Sequence, residues 1–273
     1  MTMPSYVITG VSKGLGWEFL NQISDNPDNT VIGIVRNKSA TDQRVAEELP
    51  GRTNITILEA DLTQYEQIAK VAAEATTITG GCLDYLIANA AYLTALDAYD
   101  GIGTIAQKHQ ELSNDFRKMM DTNVLANIHL YSLFLPQIRN SKIKKVIAIS
   151  SGVADNNWTN DFEIVPTSLN AISKAALNTV TAKFNAQYKK EGILFLSVCP
   201  GLVETGHFVS PTPEQQANLD ELLAKFSRYS TTFKGLDSPK DSVAAVLSVV
   251  NNCSLENSDG GRFLSHFGNE KWL

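Results

Sequence analysis

Short apolar runs of strand length recur along the chain, and stretches with helical periodicity separate them. The runs are rich in Val, Ile and Leu and lack the apolar–polar alternation of a half-exposed sheet, which indicates strands buried on both faces. The predicted strands are Tyr6–Thr9, Thr30–Val35, Asn54–Glu59, Tyr85–Ala88, Lys145–Ser150 and Leu194–Val198, with Gly261–Ser265 as a candidate for a last edge strand. The amphipathic stretches include Leu15–Ile23, Tyr65–Ala75, Asp115–Leu135 and Ser173–Tyr188. This order predicts an α/β fold with one doubly wound parallel sheet and helices on both faces.

No linker, repeat or low-complexity tract interrupts this pattern, so residues 1–273 are predicted to form a single domain. Two segments, Ala91–Gln110 and Val209–Phe233, break the alternation of strand and helix. Both follow the carboxyl end of a predicted strand, where open α/β sheets bind ligands. We expect them to form walls of a substrate pocket, with residues 206–236 as a lid; ordinary surface loops are the alternative.

Charge and composition narrow the class of protein. The net charge of −6 argues against nucleic acid or an anionic membrane as the main partner. No apolar run approaches the roughly 18–20 residues that cross a bilayer, and the N-terminus lacks the features of a signal peptide. We therefore expect a cytoplasmic protein with a small-molecule partner. The three cysteines and four histidines lack the spacing of a metal site, so no metal is expected.

A glycine-rich turn follows the first predicted strand. It reads Thr9-Gly10-Val11-Ser12-Lys13-Gly14-Leu15-Gly16 and leads directly into a predicted helix. Glycines let the backbone approach a diphosphate closely, and a helix N-terminus offers unpaired N–H groups and a partial positive charge. In this context of strand, turn and helix, the pattern predicts a Rossmann-type dinucleotide site. A merely structural turn is the alternative.

The glycine spacing and six further motifs, in order, resemble the short-chain dehydrogenase/reductase (SDR) family over nearly the whole chain. The further motifs are Asp61-Leu62, Asn89-Ala90-Ala91, Asn123, Ser150-Ser151, Ser173-Lys174 and Pro200-Gly201-Leu202-Val203-Glu204-Thr205. The C-terminal residues from Gly260 and the extra residues between Ser151 and Lys174 are more narrowly similar to fungal ketoreductases of the norsolorinic acid reductase type.

The resemblance implies roles for these residues. Asp61 and Leu62 would flank the adenine, Lys174 would bind the nicotinamide ribose, and Thr205 would contact the carboxamide. Ser151 would hold the substrate carbonyl, with a helix-entry cap as the alternative, and Asn123 would act in the site, with a structural bridge as the alternative. The other cofactor-binding residues implied are Gly10, Ser12, Lys13, Gly14, Leu15, Gly16, Asn89, Ala90, Pro200, Gly201 and Val203.

The end of the second predicted strand favours NADP(H) over NAD(H). An NAD site usually places an acid there to hold the ribose hydroxyls, but this chain has Arg36-Asn37-Lys38. An arginine can stack on adenine and pair with a 2′-phosphate, and Ser12 and Lys13 would face the same phosphate. The alternative for Arg36 is a solvated strand end.

The expected proton donor is missing. In the SDR family a tyrosine four residues before the lysine donates the proton, but this chain has Asn170 at that position. An asparagine amide has no proton to give near pH 7. Lys174 through water, or an acid such as Asp155, Asp161 or His207, could substitute, or the acceptor could be an iminium or an enone. Otherwise Ser151, Asn170 and Asn123 would orient a substrate for a non-redox reaction.

The sequence thus predicts an NADPH-dependent oxidoreductase of SDR type. Its substrate would be a carbonyl, imine or enone of a medium-sized apolar compound, with fungal secondary metabolism as the setting that the narrower resemblance suggests. A non-redox homologue for isomerisation or cyclisation and an NADP(H)-sensing binding protein are the alternatives. A homodimer or homotetramer is expected, because Asp115–Leu135 and Ser173–Tyr188 resemble the helices that pair in SDR oligomers. Trp158 is interpreted as a substrate-stacking wall or a surface anchor.

Overall fold

The computed structural model describes residues 3–206 and 211–273, and its centre is one seven-stranded sheet in the order β3-β2-β1-β4-β5-β6-β7. Every strand pair in this sheet is parallel. The strands are β1 (Ser5–Thr9), β2 (Thr30–Val35), β3 (Ile55–Glu59), β4 (Tyr85–Ala88), β5 (Lys145–Ile149), β6 (Leu194–Cys199) and β7 (Phe263–Ser265). The predicted doubly wound parallel sheet, with a short last strand at its edge, is confirmed.

Helices cover both faces of the sheet. Apolar side chains of α1 and α10 pack on one face, and those of α3, α6 and α8 pack on the other. The helices are α1 (Gly14–Ser24), α2 (Lys38–Glu48), α3 (Tyr65–Thr79), α4 (Ile102–Ile105), α5 (His109–Met120), α6 (Ala126–Asn140), α7 (Asn156–Phe162), α8 (Ser168–Tyr188), α9 (Pro213–Tyr229) and α10 (Pro239–Asn252). None of the helices in the described part of the chain is both long and apolar enough to cross a bilayer.

The structure divides the helix that was predicted over Asp115–Leu135. Helix α5 ends at Met120, a π-helical turn spans Asp121–Leu125, and α6 continues from there. The wider turn contains Asn123, which is completely buried. Apolar periodicity does not reveal a π-helical turn, because one extra residue per turn only shifts the phase of the pattern; such turns often occur at functional sites.

A third apolar cluster lies beyond the carboxyl ends of β5 and β6 and joins α7, α9 and the last residues of the chain. Trp158 of α7 is only 5% exposed and stacks on Phe226 of α9, with ring centroids 5.3 Å apart. Trp272 stacks on Phe263 of β7 at 4.2 Å. Trp158 is therefore a packing residue, and the interpretation of it as a surface anchor is wrong.

Candidate active site

The glycine turn between β1 and α1 has no room for side chains. Gly10 and Gly14 have φ angles of +76° and +56°, which L side chains rarely adopt. At Gly16 a Cβ atom would lie 2.1 Å from the carbonyl oxygen of Gly10 and 2.5 Å from Nδ2 of Asn89. The turn is therefore closely packed against its own backbone and against the loop after β4.

Asn89, directly after β4, fixes this turn from the side. Its Nδ2 donates to the carbonyl oxygens of Thr9 at 2.9 Å and of Gly10 at 3.4 Å. In return Oγ1 of Thr9 accepts from the backbone N–H groups of Asn89 at 3.1 Å and Ala90 at 3.0 Å. The two motifs are thus one hydrogen-bonded unit, and direct contact of Asn89 or Ala90 with a cofactor stays a prediction.

The N-terminus of α1 is open. Lys13 occupies the cap position without a side-chain hydrogen bond, and the first turn contains no acidic residue. Thr205, in the loop after β6, lies opposite, because a Cβ atom on Gly14 would be 3.7 Å from its Cγ2. Free amides and the positive end of a helix dipole are what a phosphate requires. The turn therefore fits the diphosphate of a dinucleotide.

Lys13 lies in this turn, directly before α1, and Arg36 directly follows β2. Lys13 and Arg36 are both exposed. The pKa of Asp61, after β3, is lowered mainly because it accepts hydrogen bonds from Thr63, and the charge of Arg36 adds to the effect. Arg36 and Asp61 therefore lie near each other, and their place beside an adenine stays a prediction.

Arg44 of α2 is a residue that the sequence reasoning missed. Its Nη1 donates to the carbonyl oxygen of Ser12 at 2.9 Å, and its guanidinium lies 3.9 Å from the ring centroid of Trp17. Arg44 thus contacts both the glycine turn and the helix that follows it, and these contacts stabilise the turn. The sequence carried no signal for this contact, because Arg44 is one of several charged residues on a polar helix.

Lys174, on α8, is buried below the end of β5. Its Nζ donates to the carbonyl oxygen of Ile149 at 2.7 Å. Among the described residues no carboxylate lies within ion-pairing distance of Nζ. Burial lowers the pKa of Lys174 to about 8, and the nearby Cys199 offsets this effect only in part. The site therefore contains a desolvated ammonium group.

Ser151 directly follows Ser150 at the end of β5 and is half-buried. It precedes a short 3₁₀ turn, Gly152–Ala154, but its side chain makes no capping hydrogen bond. The helix-entry cap that was the alternative role for Ser151 is therefore absent. Its role in holding a carbonyl stays a prediction.

Cys199, at the end of β6, was not predicted as a site residue. Its Sγ accepts from the backbone N–H of Gly152 at 3.1 Å and of Gly201 at 3.4 Å. It therefore joins the loop that carries Ser151 to the loop that carries Pro200–Thr205. Burial raises the pKa of the Cys199 thiol to about 11, so it acts here as a neutral acceptor and not as a nucleophile.

Asn123 bridges the loop after β4 and helix α8. Its Oδ1 accepts from the backbone N–H of Tyr92 at 2.7 Å. Its Nδ2 donates to the carbonyl oxygen of Tyr92 at 3.0 Å and to Oγ of Ser173 at 3.1 Å. Because both ends of this amide already have partners, the hydrogen bonds favour the bridging role for Asn123.

Asn170 lies in the first turn of α8, one helical turn before Lys174. Its Oδ1 is buried and makes no hydrogen bond within the described part of the chain. Asp97, in the polar segment after β4, caps this helix, since its Oδ2 accepts from the backbone N–H of Leu169 at 2.6 Å and of Asn170 at 3.4 Å. The sequence reasoning missed Asp97, which holds Leu169 and Asn170 at the start of α8.

The other acids weighed as replacement donors lie elsewhere or outside the described residues. Asp155 caps α7, with Oδ1 accepting from the backbone N–H of Asn157 at 2.8 Å, and its Oδ2 accepts from Nε1 of Trp272 at 2.9 Å. Asp161 is exposed. His207 belongs to residues 207–210, outside the described part. Asp155 therefore has a structural role, and the structure does not support Asp155 or Asp161 as the proton donor.

A pair of substitutions tests this assignment of Asp155. We expect Asp155→Ala to lower the free energy of unfolding by about 1–3 kcal/mol, because a helix cap and a hydrogen bond to Trp272 are lost. Asp155→Asn keeps a good cap without a titratable proton and should preserve turnover within about twofold. Urea unfolding and steady-state rates measure the two effects. A hundredfold loss of rate in Asp155→Asn would instead make Asp155 an acid of the reaction.

An apolar cavity of about 210 Å³ lies beside Thr205. Its walls come from the loop after β6 and from α9 and include Leu202, Leu222 and Phe226. The base of the predicted lid is pinned at Asp237, whose N–H donates to the carbonyl oxygen of Leu202 at 2.8 Å and whose carbonyl oxygen accepts from Glu204 at 3.0 Å. The residues that flank segment 206–236 are thus hydrogen-bonded to each other, and closure of this segment over a substrate stays a prediction.

Residues 5–216 match the short chain dehydrogenase family. The chain belongs to this family. It is 53% identical over 271 residues to the short chain dehydrogenase virK of Hypocrea virens and 47% identical over 272 residues to the short-chain dehydrogenase/reductase iacC of Pestalotiopsis fici. Each alignment covers 99% of this chain and 100% of the relative.

Solved structures show the same fold. The NADPH-bound carbonyl reductase from chicken fatty liver superposes with a TM-score of 0.77 at 23% identity, over 98% of both chains. The Rossmann-type architecture predicted for this family member is thereby confirmed. Residues 3–206 and 211–273 contain no group of three or more His, Cys, Asp or Glu side chains placed to hold a metal ion.

Proposed function

We propose that this short chain dehydrogenase is an NADP(H)-dependent oxidoreductase that reduces a carbonyl, iminium or conjugated enone of a medium-sized apolar compound. One observation carries the proposal: an open phosphate turn, a buried ammonium group and an apolar cavity lie together at the carboxyl edge of the sheet. The NADPH-bound carbonyl reductase of the same fold supports the choice of cofactor. Both relatives come from fungi, which agrees with the narrower resemblance to fungal norsolorinic acid reductases and with the setting in secondary metabolism that this resemblance suggests.

Each part of the site has a task in this proposal. The turn residues Gly10 to Gly16 would hold the diphosphate, and Ser12, Lys13 and Arg36 the 2′-phosphate, with Asp61 and Leu62 beside the adenine. Lys174 would bind the ribose, and the loop of Pro200, Gly201, Val203 and Thr205 would bind the nicotinamide. When bound, the cofactor supplies hydride.

The substrate side of the site needs a holder for the acceptor atom and a wall for the carbon skeleton. Ser151 and Asn170 would hold the acceptor, since a hydroxyl and an amide both donate hydrogen bonds. Asn123 would act as a positioning residue through Tyr92 and Ser173. The leucines around the 210 Å³ cavity would exclude water from the apolar part of the substrate.

Arg36→Asp tests the choice between cofactors. The substitution removes a charge-assisted hydrogen bond to the 2′-phosphate and adds a like charge, so NADPH should bind about 100-fold more weakly. NADH lacks this phosphate, and its binding should change less than about threefold. Cofactor fluorescence gives both constants, with Lys70→Asp on α3 as an exposed charge-reversal control. Equal weakening of the two cofactors would contradict the assignment of Arg36.

The proposed reaction is tested with purified protein. NADPH binding is measured by fluorescence, and absorbance at 340 nm is then followed against diketones, quinones and cyclic imines. Consumption of NADPH supports the proposal. Conversion of a substrate without consumption of NADPH would favour the alternative of a non-redox homologue. Tight binding of NADPH without conversion of any compound would favour an NADP(H)-sensing protein.

We propose further that the chain self-associates as a homodimer or homotetramer. The face around α5 and α8 supports this, since it exposes large apolar side chains, among them Phe116, Leu125, Val165 and Ile172. Exposed apolar patches of this kind are typical of protein interfaces. Cytoplasmic location stays a prediction from the sequence.

A further inference from the structure

Lys174 is a buried cation placed one helical turn from Asn170, on the same face of α8. Its Nζ donates to the carbonyl oxygen of Ile149, two residues before Ser151. The ammonium group therefore lies at the end of β5, the strand that leads into Ser151. A second proton of the ammonium is available there, because the hydrogen bond to Ile149 uses only one of three.

The groups around Lys174 do not hold its ammonium proton in an ion pair. Cys199, on β6, faces it as a thiol whose raised pKa keeps it neutral. The carboxylate of Asp97 is turned to the backbone N–H groups of Leu169 and Asn170. On the side of the π-helical turn, Asn123 is amide and not acid, and the hydroxyl of Tyr92 donates to Asp115 at 3.0 Å. No carboxylate in the described ranges fixes the proton of Lys174 in an ion pair.

We propose that Lys174 itself is the proton donor of this site and replaces the tyrosine that the family places at position 170. The proposal rests on the proposed function, since it assigns the acid of that reduction. Asn170 then acts as a spacer and hydrogen-bond donor, and its buried, unpartnered Oδ1 is an acceptor for a water molecule between the amide and the ammonium.

Reduction of a carbonyl to an alcohol requires one hydride and one proton. A bound nicotinamide would supply hydride to the carbonyl carbon, and the π electron pair would move to the carbonyl oxygen. That oxygen takes one proton from Nζ of Lys174, either directly or through water, and the ammonium becomes a neutral amine. Solvent then returns the proton to the amine. An iminium substrate becomes a neutral amine on accepting hydride and needs no proton from the protein.

The acidity of the group suits this role. An exposed lysine has a pKa near 10.4, too high for efficient donation near neutrality, whereas burial lowers the pKa of Lys174 to about 8. The ammonium form is populated below this pKa and lost above it. Ketone reduction should therefore be constant below about pH 7 and fall about tenfold per pH unit above the lysine pKa.

Lys174→Arg separates proton donation from charge. Arginine keeps the cation but cannot release a proton near pH 7. We expect reduction of a ketone such as 1-tetralone to fall about 100-fold or more. Reduction of an iminium of matched shape, N-methyl-3,4-dihydroisoquinolinium, and the dissociation constant of NADPH should change less than about tenfold. Lys183→Arg, at an exposed position on the same helix, is the matched control.

The outcomes distinguish this proposal from the proposed function. If neither substrate consumes NADPH with wild-type protein, reduction itself is in doubt. If the iminium and the ketone lose rate equally in Lys174→Arg, lysine only positions the cofactor and the proposal is wrong. If ketone reduction survives in Lys174→Arg, another group donates the proton.

Two measurements keep the proposal testable if arginine does not fit the buried site. In Lys174→Ala, added primary amines should restore ketone reduction in proportion to their acidity, and no rescue by any amine contradicts the proposal. In wild-type protein, NMR of lysine labelled at ¹³Cε follows the titration of Lys174 with NADP bound, without any turnover. A pKa below about 9 supports donation, and a value above 10 overturns it.

Discussion

Gly16→Ala is expected to abolish NADPH binding and to lower the free energy of unfolding by about 3 kcal/mol, at the upper end of overpacking costs. The added Cβ would lie 2.1 Å from the carbonyl oxygen of Gly10 and 2.5 Å from Nδ2 of Asn89. Neither neighbour can move cheaply, because one is backbone and the other holds the turn through its hydrogen bonds to Thr9 and Gly10. Urea unfolding and cofactor fluorescence measure the two losses.

Gly103→Ala is the matched control for this substitution. Gly103 lies in α4, has no positive φ angle and has open space where a Cβ would be added. The same chemical change there should be neutral or stabilise the fold by up to about 1 kcal/mol, because alanine loses less backbone entropy on folding. Similar losses in Gly16→Ala and Gly103→Ala would show that close packing of the turn does not decide cofactor binding.

The strand bounds and the glycine turn were the most predictable parts of this molecule, because both depend on neighbouring residues. In β2 every residue from Val31 to Val35 is buried, so the apolar run in the sequence predicts where this strand lies. Gly10 and Gly16 were identified from their spacing between a strand and a helix. In these two places, the residues next to each other in the sequence are sufficient to predict the structure.

The supports of the candidate site were not predictable, because they depend on contacts between distant parts of the chain. Cys199 accepts from Gly152, 47 residues away, and Asp97 accepts from Leu169, 72 residues away. A lone cysteine in a strand and a lone aspartate in a polar loop carry no pattern that indicates such partners. The same is true of Asn123, whose position depends on a π-helical turn that periodicity does not show.

Asn170 lies at the position where the family pattern implies a tyrosine, and this has a consequence for the neighbouring Lys174. A phenol needs a nearby cation to lower its pKa, so lysine in the family pattern serves the tyrosine. With Asn170 in that place, the cation has no phenol to assist, and in our proposal it donates its own proton to the acceptor. Under this proposal, Lys174 therefore has a different task from the one that the family pattern implies.

Asn170→Tyr is expected to restore ketone reduction in the Lys174→Arg background by about 100-fold or more. The new phenol provides the missing acid, and the arginine cation beside it favours the phenolate that donation leaves behind. No hydrogen bond between Oδ1 of Asn170 and the described part of the protein is lost in this substitution, because that buried atom makes none there. Initial rates with 1-tetralone, each corrected for the measured affinity for NADPH, give the effect.

Asn170→Phe in the same background is the control, since it adds the same ring without a proton to donate. We expect no recovery of ketone reduction from phenylalanine, and equal recovery from both rings would mean that filled volume, not acidity, limits the site. In the background that keeps Lys174, the gain from Asn170→Tyr should be less than about tenfold, because that site already contains a donor. A gain of a thousandfold there would show instead that Lys174 donates no proton and that the native site lacks an acid for ketones.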